Sequence, residues 1–320
     1  MPTESARRRA VVTGGAGAIG SVLVRGLLAE GAAVTVVDNL SSGRIENLGE
    51  AQSHERFRFL KADLLEPDRI RPAFRGATEA WHLAANPDIR RGSVEPRIDF
   101  DQGARATLHV LEAVRAEKVG WIGFSSSSVV YGLPSVFPTP ESYGPLLPQS
   151  QYGANKLASE GLISAFVHSY GGEAAIFRFA NIVGPAMSHG IVYDFLQKLQ
   201  REPGRLEVLG DGRQTKSYLS TEDCVSGMRL VRHKGEKPAG VYNLGNQDQI
   251  SAGDIARKVV AAMGGKAKIE FTGGERGWVG DVPRQYLATD RARALGWTPT
   301  STSAGAVDRC IAAMRGELGL

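Results

Sequence analysis

The segment Val11–Gly20, Val-Val-Thr-Gly-Gly-Ala-Gly-Ala-Ile-Gly, constrains this chain more than any other stretch. An apolar run, Ala10–Val12, leads into glycines at positions 14, 15, 17 and 20, and the amphipathic stretch Ser21–Glu30 follows. The pattern reads as strand, tight turn, helix. Glycines so placed let the chain reverse, let the backbone approach a pyrophosphate, and let the helix sit close to the strand. The helix N-terminus then offers N–H groups and the positive end of its dipole to an anion. Alone such a turn carries little weight in a chain with 39 glycines, where an ordinary turn is the competing reading.

A second apolar, β-branched run, Ala33–Val37, ends in Asp38. An acid at this interval, at the tip of the second strand, is placed to hold the hydroxyls of an adenosine ribose. Its charge repels a 2′-phosphate, which favours NAD over NADP. Arg44, the one nearby feature that could support NADP, reads as a solvated loop charge or a contact to the adenosine side.

Further strands are expected at Phe57–Leu60, Ala80–Ala85 and Trp121–Ser126. The stretch Asp101–Lys118 has helical periodicity, with Ala104, Leu108, Leu111, Ala113 and Val114 on one face. The β-α-β repetition predicts the α/β class: a Rossmann-type, doubly wound parallel sheet with a smaller C-terminal α/β substrate domain. Residues 1–182 are read as the NAD-binding domain, rejoined by a strand near 241–245, and 183–320 as a smaller domain that closes the substrate cleft. Within the latter, Ile191–Arg201, Thr221–Val231 and Ser251–Met263 read as helices, the last two capped by Thr221 and Ser251. Glu207–Gly210 reads as a short strand, and Ala288–Gly296 and Ser303–Arg315 finish the chain. Trp81, Trp121 and Trp297 are expected in the core.

The 320 residues suffice for two such cores. No apolar run approaches the ~18 residues that span a bilayer, so no membrane partner is expected. The net charge of +4 owes much to Arg7, Arg8 and Arg9, read as a frayed, solvated tail and not as a nucleic-acid arm. The two cysteines, Cys224 and Cys310, lack ligand spacing and imply neither a metal site nor a disulfide framework. With no apolar leader, a cytoplasmic location is expected.

The fifth strand runs into Ser125–Gly132. After the Pro-rich loop Leu133–Pro148, Tyr152-Gly153-Ala154-Asn155-Lys156 opens a helix through His168. Tyr152 and Lys156 lie one turn apart on one face. On an arbitrary helix this is a surface contact. Behind a Ser-rich strand end in a dinucleotide-binding unit, the Lys156 ammonium is expected to lower the Tyr152 phenol from ~10 toward neutrality. The phenolate is then a general base for an alcohol proton, with a serine hydroxyl on the same oxygen. The three groups read as an alcohol-to-ketone site with NAD as hydride acceptor.

With these stretches, Val37–Leu40, His82–Ala85, Arg178–Asn181, Gly210-Asp211-Gly212, Lys216-Ser217-Tyr218, Tyr242–Gly245 and Arg276–Pro283, the chain resembles the extended short-chain dehydrogenase/reductases, and within them the UDP-glucose 4-epimerases. The segment Arg178–Phe195 resembles archaeal-type members. The resemblance implies that Ser127 is the catalytic hydroxyl, Tyr152 the base, and Lys156 its partner and a contact to the nicotinamide ribose. It places Gly14, Gly17 and Gly20 on the pyrophosphate, Asp38 on the adenosine ribose, and Asp63 with Leu64 on the adenine. Ala18, Ile19, Asn39, Ser42, Gly43, Leu83, Ala84 and Ala85 complete the implied cofactor set. Asn181 matches a contact to the sugar nucleotide's phosphate. Lys216, Arg276 and Asp281 match the uridine ribose and pyrophosphate site, and Ser128, Val192, Tyr193 and Tyr218 also fall on the implied substrate site. A homodimer through the Asp101–Lys118 and Gly153–His168 helices is implied as well, although their apolar faces can equally pack within one chain.

The chain departs from the family pattern at Gln102-Gly103, where an Asn is usual, at Lys216 for the commoner Arg, and at Trp278, which is placed to shape the sugar pocket. Lys216 turns a bidentate fork into a point charge. Ser128 and Val129 stand where the family's dehydratases and decarboxylases carry acids, and neither can serve as one. His189, alone between Ser188 and Gly190, is a substrate contact or loop structure. The expected activity is therefore NAD-dependent C4 epimerisation of a UDP-sugar of the UDP-glucose/UDP-galactose type through a 4-keto intermediate. The alternatives are a UDP-N-acetylhexosamine or UDP-hexuronate substrate, a net oxidoreductase of a nucleotide sugar, and an NAD-binding sensor with no use for a poised phenol.

Overall fold

The computed structural model describes residues 8–277 and 280–320. The strands β1 (Arg9–Thr13), β2 (Ala33–Asp38), β3 (Phe57–Lys61), β4 (Glu79–His82), β5 (Trp121–Ser127) and β6 (Glu173–Phe179) alternate with helices that include α1 (Ala18–Ala29), α2 (Ala106–Ala116) and α3 (Gln151–Tyr170). The chain continues through α4 (Ile191–Arg201) and α5 (Thr221–Lys234) before β7 (Ala239–Leu244) returns, and α6 (Ala252–Ala262) and α7 (Ser303–Leu318) follow. The seven strands form one sheet in the order β7-β6-β5-β4-β1-β2-β3. Every pairing is parallel. The sheet order reverses beside β1, and it is there, past the carboxyl ends of the strands, that a doubly wound sheet opens a crevice.

Both faces of the sheet are covered, which is why its strands are apolar without alternation. Val12 of β1 packs with Leu23, Val24 and Leu27 of α1 and with Trp81 and Phe177. Its neighbour Val11 points to the other face, against Val110, Leu111, Ile122 and Ile163. A third apolar cluster joins Val192, Phe195 and Leu196 of α4 to Ile255 and Val259 of α6 and to Val307 and Ile311 of α7. Trp81, Trp121 and Trp297 are all buried.

Several local expectations are corrected. Arg8 and Arg9 do not fray: Arg9 opens β1, and the Arg8 guanidinium pairs with Glu30 at 2.6 Å and with the buried Glu79 at 2.8 Å. Arg7 lies outside the described residues. The expected strand Ala80–Ala85 ends at His82, and Ala84 instead packs against the Cα side of Gly14. The helix expected from Asp101 opens with a π-helical turn, Phe100–Arg105. That turn adds one residue and rotates the buried face, so Thr107, Val110, Leu111 and Val114 face inward and Leu108 is exposed. α5 is capped by Ser220, whose hydroxyl accepts from the Asp223 N–H, and not by Thr221. The short strand expected at Glu207–Gly210 lies at Arg205–Val208, paired with Lys268–Phe271. Ser251 caps α6 as expected.

Candidate active site

A cleft of about 770 Å³ runs along the carboxyl ends of β1, β2, β4, β5 and β6 and reaches α4 and the Lys216 strand. At one end its wall is the glycine turn. Gly14 has φ +70°, and a Cβ there would stand 2.7 Å from the Ala84 nitrogen. A Cβ on Gly20 would stand 2.2 Å from the Gly14 carbonyl oxygen, so the helix can approach the strand only without one. Gly17 differs: a Cβ there would meet only the Gly14 oxygen, at 3.4 Å, an ordinary contact. The fold does not need glycine at 17, whereas a pyrophosphate lying on the turn would. Gly17 is also the N-cap of α1 and carries no side-chain cap. The cradle therefore fits the dinucleotide expected of it.

Asp38 is buried at the tip of β2. Its Oδ2 accepts the Ala16 N–H at 3.0 Å and its Oδ1 accepts the Leu40 N–H at 2.8 Å. It thus ties the glycine turn to β2, while each oxygen keeps a lone pair for a ribose hydroxyl. Ala18, Ile19, Asn39, Ser42, Gly43, Leu64, Leu83, Ala84 and Ala85 line the same end. Asp63 does not. Its carboxylate accepts from Asn39 Nδ2 at 2.8 Å and from the Leu65 N–H at 2.9 Å, so it holds Asn39 from behind the wall. Arg44 is off the cleft wall, on the loop beyond.

Midway along the cleft, Ser127 ends β5, and Tyr152 and Lys156 project from the first turns of α3, which is capped by Ser150. Lys156 is buried. Its ammonium donates to the Ser125 carbonyl at 2.6 Å and lies 5.6 Å from the centre of the Tyr152 ring. Burial pushes Lys156 down to about 7, against the pull of the Glu160 and Asp99 carboxylates. The expected lowering of Tyr152 is not found: burial, and after it the Asp99 charge, raises the phenol above its ordinary value. Burial is the larger of the two causes. Asp99, which sequence reasoning missed, is buried and accepts from Asn86 Nδ2 at 2.9 Å through Oδ1; its Oδ2 has no partner among the described residues. Burial raises this carboxyl as well. His82 on β4 is pushed down to about 3 by burial and by Lys156, between the hydroxyls of Thr13 and Thr107. Ser128 lies behind the wall, its hydroxyl unpartnered among the described residues.

At the far end, Val192 and Tyr193 of α4, His189, Asn181, Lys216, Tyr218 and Asp281 line the cleft. Three of these are already engaged. Asn181 Nδ2 donates to Gln285 Oε1 and to the Ser217 carbonyl, which leaves an acceptor, not a donor, toward a phosphate. Lys216 Nζ donates to Asp281 Oδ1 at 2.7 Å, and Asp281 Oδ2 accepts the Gly277 N–H at 3.0 Å. Tyr218 is held above its ordinary pKa by burial and by Asp281. Arg276 is exposed and off the cleft wall. Trp278 lies outside the described residues. Among the described residues no group of His, Cys, Asp and Glu could hold a metal ion, and no helix is long and apolar enough to cross a membrane.

The family model described as NAD dependent epimerase/dehydratase matches residues 10–245. The UDP-glucose 4-epimerase of Mycolicibacterium smegmatis is 33% identical over 318 residues, 97% of this chain and 99% of its own. The UDP-glucuronic acid decarboxylase 1 of Xenopus tropicalis is 31% identical over 326 residues, 99% of this chain and 74% of its own. Among solved structures, a UDP-galactose 4-epimerase gives a TM-score of 0.87 at 38% identity, covering 97% of this chain and 99% of that one. The UDP-glucose 4-epimerase of Thermus thermophilus, in complex with NAD, gives 0.86 at 28% identity, covering 96% and 99%.

Proposed function

This chain belongs to the NAD-dependent epimerase/dehydratase family, and from that premise we propose that it inverts C4 of a UDP-hexose, interconverting UDP-glucose and UDP-galactose. One observation carries the reading: Ser127, Tyr152 and Lys156 meet in one cleft with the glycine turn, and the residues after Ser127 are Ser128 and Val129, not acids. Dehydration needs an acid–base pair to expel a hydroxyl, and this wall offers none at those positions.

In this reading Gly14, Gly17–Gly20 and Asp38 hold NAD, with Asn39, Leu64 and Ala84 along its length. NAD supplies the acceptor for the C4 hydride and later its donor. Tyr152 takes the O4 proton as the hydride leaves C4, and returns it to O4 when the hydride comes back to the opposite face. Ser127 donates a hydrogen bond to the same oxygen. Lys156, charged at or below about pH 7, favours the phenolate against the burial and the Asp99 charge that oppose it. Lys216, Asp281 and Tyr218 hold the nucleotide while the 4-keto sugar turns over.

A UDP-hexuronate is the second reading, favoured by the similarity to a UDP-glucuronic acid decarboxylase and by Arg90 in the cleft wall. The division into residues 1–182 with 241–245 and residues 183–320 is likewise our reading, supported by the separate apolar cluster around α4, α6 and α7. A homodimer through α2 and α3 is supported by exposed Leu108 and Tyr170. The test is a screen of UDP-, GDP-, CDP- and dTDP-sugars for isomers, with mass spectrometry of the released cofactor. Interconversion of a UDP-hexose pair by protein that carries NAD is expected. Failure on every UDP-hexose, N-acetyl and uronic forms included, overturns the proposal.

A further inference from the structure

Glu160 lies one turn beyond Lys156 and two beyond Tyr152, on the same stripe of α3. The chemistry above does not use it. Its carboxylate is buried and fully engaged. Oε1 accepts from Ser126 Oγ at 2.5 Å and from Arg178 Nε at 3.0 Å, and Oε2 accepts from Arg178 Nη2 at 2.7 Å. Arg178, on β6, also donates to the Glu141 carbonyl at 3.2 Å and lies 4.8 Å over the ring of Tyr131. The Tyr131 hydroxyl donates to Asn243 of β7 at 2.7 Å. One turn earlier on α3, Lys156 grips the Ser125 carbonyl at 2.6 Å. Consecutive turns of the helix that carries Tyr152 therefore hold the two residues of β5 that precede Ser127.

We propose that Glu160 is a positioning residue for the reaction: it fixes the register of α3 on the end of β5, and with it the placement of Ser127 against Tyr152, and it keeps a negative charge beside Lys156. This rests on the reading that Ser127, Tyr152 and Lys156 do the chemistry. A buried ion pair is a weak source of stability, since an apolar pair of similar volume often serves as well. What the bidentate fork adds is geometry, and catalytic groups need placement within ~0.5 Å. It also adds charge. The groups that face Lys156 are Tyr152 and Glu160 from α3, Asp99 from the turn before α2, and His82 from β4, with Arg178 of β6 bound to Glu160. Of the two carboxylates that support the ammonium, Glu160 is the stronger.

Glu160→Gln alone strands a buried guanidinium and is expected to misfold. The informative variant is Glu160→Leu with Arg178→Met, which replaces the ion pair by an apolar one. With UDP-glucose as substrate, we expect the parental UDP affinity and KM, a kcat lower by about tenfold, and an alkaline limb of kcat shifted to lower pH. The Lys156 Nζ titration, followed by 15N NMR of the NAD-loaded protein, is expected to move the same way. A folded double variant with parental kcat, pH profile and Lys156 titration overturns the proposal. Ser126→Ala cuts only the link to β5 and leaves the ion pair. A kcat reduced severalfold at unchanged KM supports the positioning role, and an unchanged kcat refutes it. Should the wild-type chain turn over no UDP-hexose, the proposed function fails by itself, because the Lys156 titration needs no sugar.

Discussion

At the β1 end of the cleft the backbone shapes the wall; at the Lys216 end side chains do. Gly14 and Gly20 leave no room for a Cβ, and Gly43 would bring one within 2.9 Å of Ala16. Lys216 and Asn181, by contrast, line the cleft held by partners far along the chain, Asp281 and Gln285. Backbone constraints admit one residue type and are hard to replace. A side-chain pair can be rebuilt, so the far end is the part of the cleft that substitutions can reshape without disturbing the glycine turn. Tyr152 stands where the two ends meet.

The largest effect is expected there. On the proposed chemistry Tyr152→Phe removes the proton acceptor and should lower kcat by about 10³-fold while the Kd for UDP stays as it was; turnover near the parental rate would separate the chemistry from the meeting point of the two ends. Gly17→Ala comes next. The fold has room for this Cβ, so the melting temperature of NAD-free protein should hold while NAD retention falls by about tenfold or more. Gly20→Ala should lower the melting temperature itself, and equal behaviour of the two variants would erase the distinction between a glycine the fold needs and one the ligand needs. Lys216→Ala should raise the KM for a UDP-hexose by about tenfold without changing kcat. Arg276→Ala, at an exposed position off the wall, should change it less than about twofold. If Arg276→Ala has the larger effect, the far end is not built as described.

The pH dependence sharpens the same contrast. Asp99 opposes ionisation of Tyr152 and supports the charge on Lys156. Asp99→Asn should therefore lower both groups, so both limbs of the kcat profile should move to lower pH; limbs moving apart would mean that Asp99 does not act through charge. Buried, neutral His82 has a folded-state value of about 3, below its ordinary 6.5. The unfolded chain thus binds the extra proton between those values, and stability should fall as pH drops through that window. His82→Gln should flatten that part of the melting curve.

What is legible in the sequence follows the same division. The glycines, the apolar strands and the acid closing β2 each answer a backbone or burial requirement that leaves a periodic trace. The sheet, the glycine turn and Asp38 can be read from them; the other residues lining that end of the cleft come from the family resemblance. Asp63 reads as an adenine contact because an acid after a strand looks alike whether it faces a ligand or holds Asn39. Leu108 reads as part of the buried face of α2 because a π-helical turn leaves no trace in a period of 3.6 residues. Asp99 carries no sequence signal, because its effect on Tyr152 depends on a short helical turn, Pro96–Asp99, brought close only by folding. Glu160 has one, its spacing from Lys156, but nothing in the sequence tells a buried carboxylate from a solvated one.

The most direct test is to incubate the purified chain with UDP-glucose in D2O, without added NAD, and to follow C4 by NMR and the absorbance of NADH together. UDP-galactose that keeps protium at C4, with no net NADH, is the expected result, since the hydride leaves and returns within one cleft. Deuterium at C4, or NADH formed in proportion to substrate, would contradict an NAD that ends each cycle as it began.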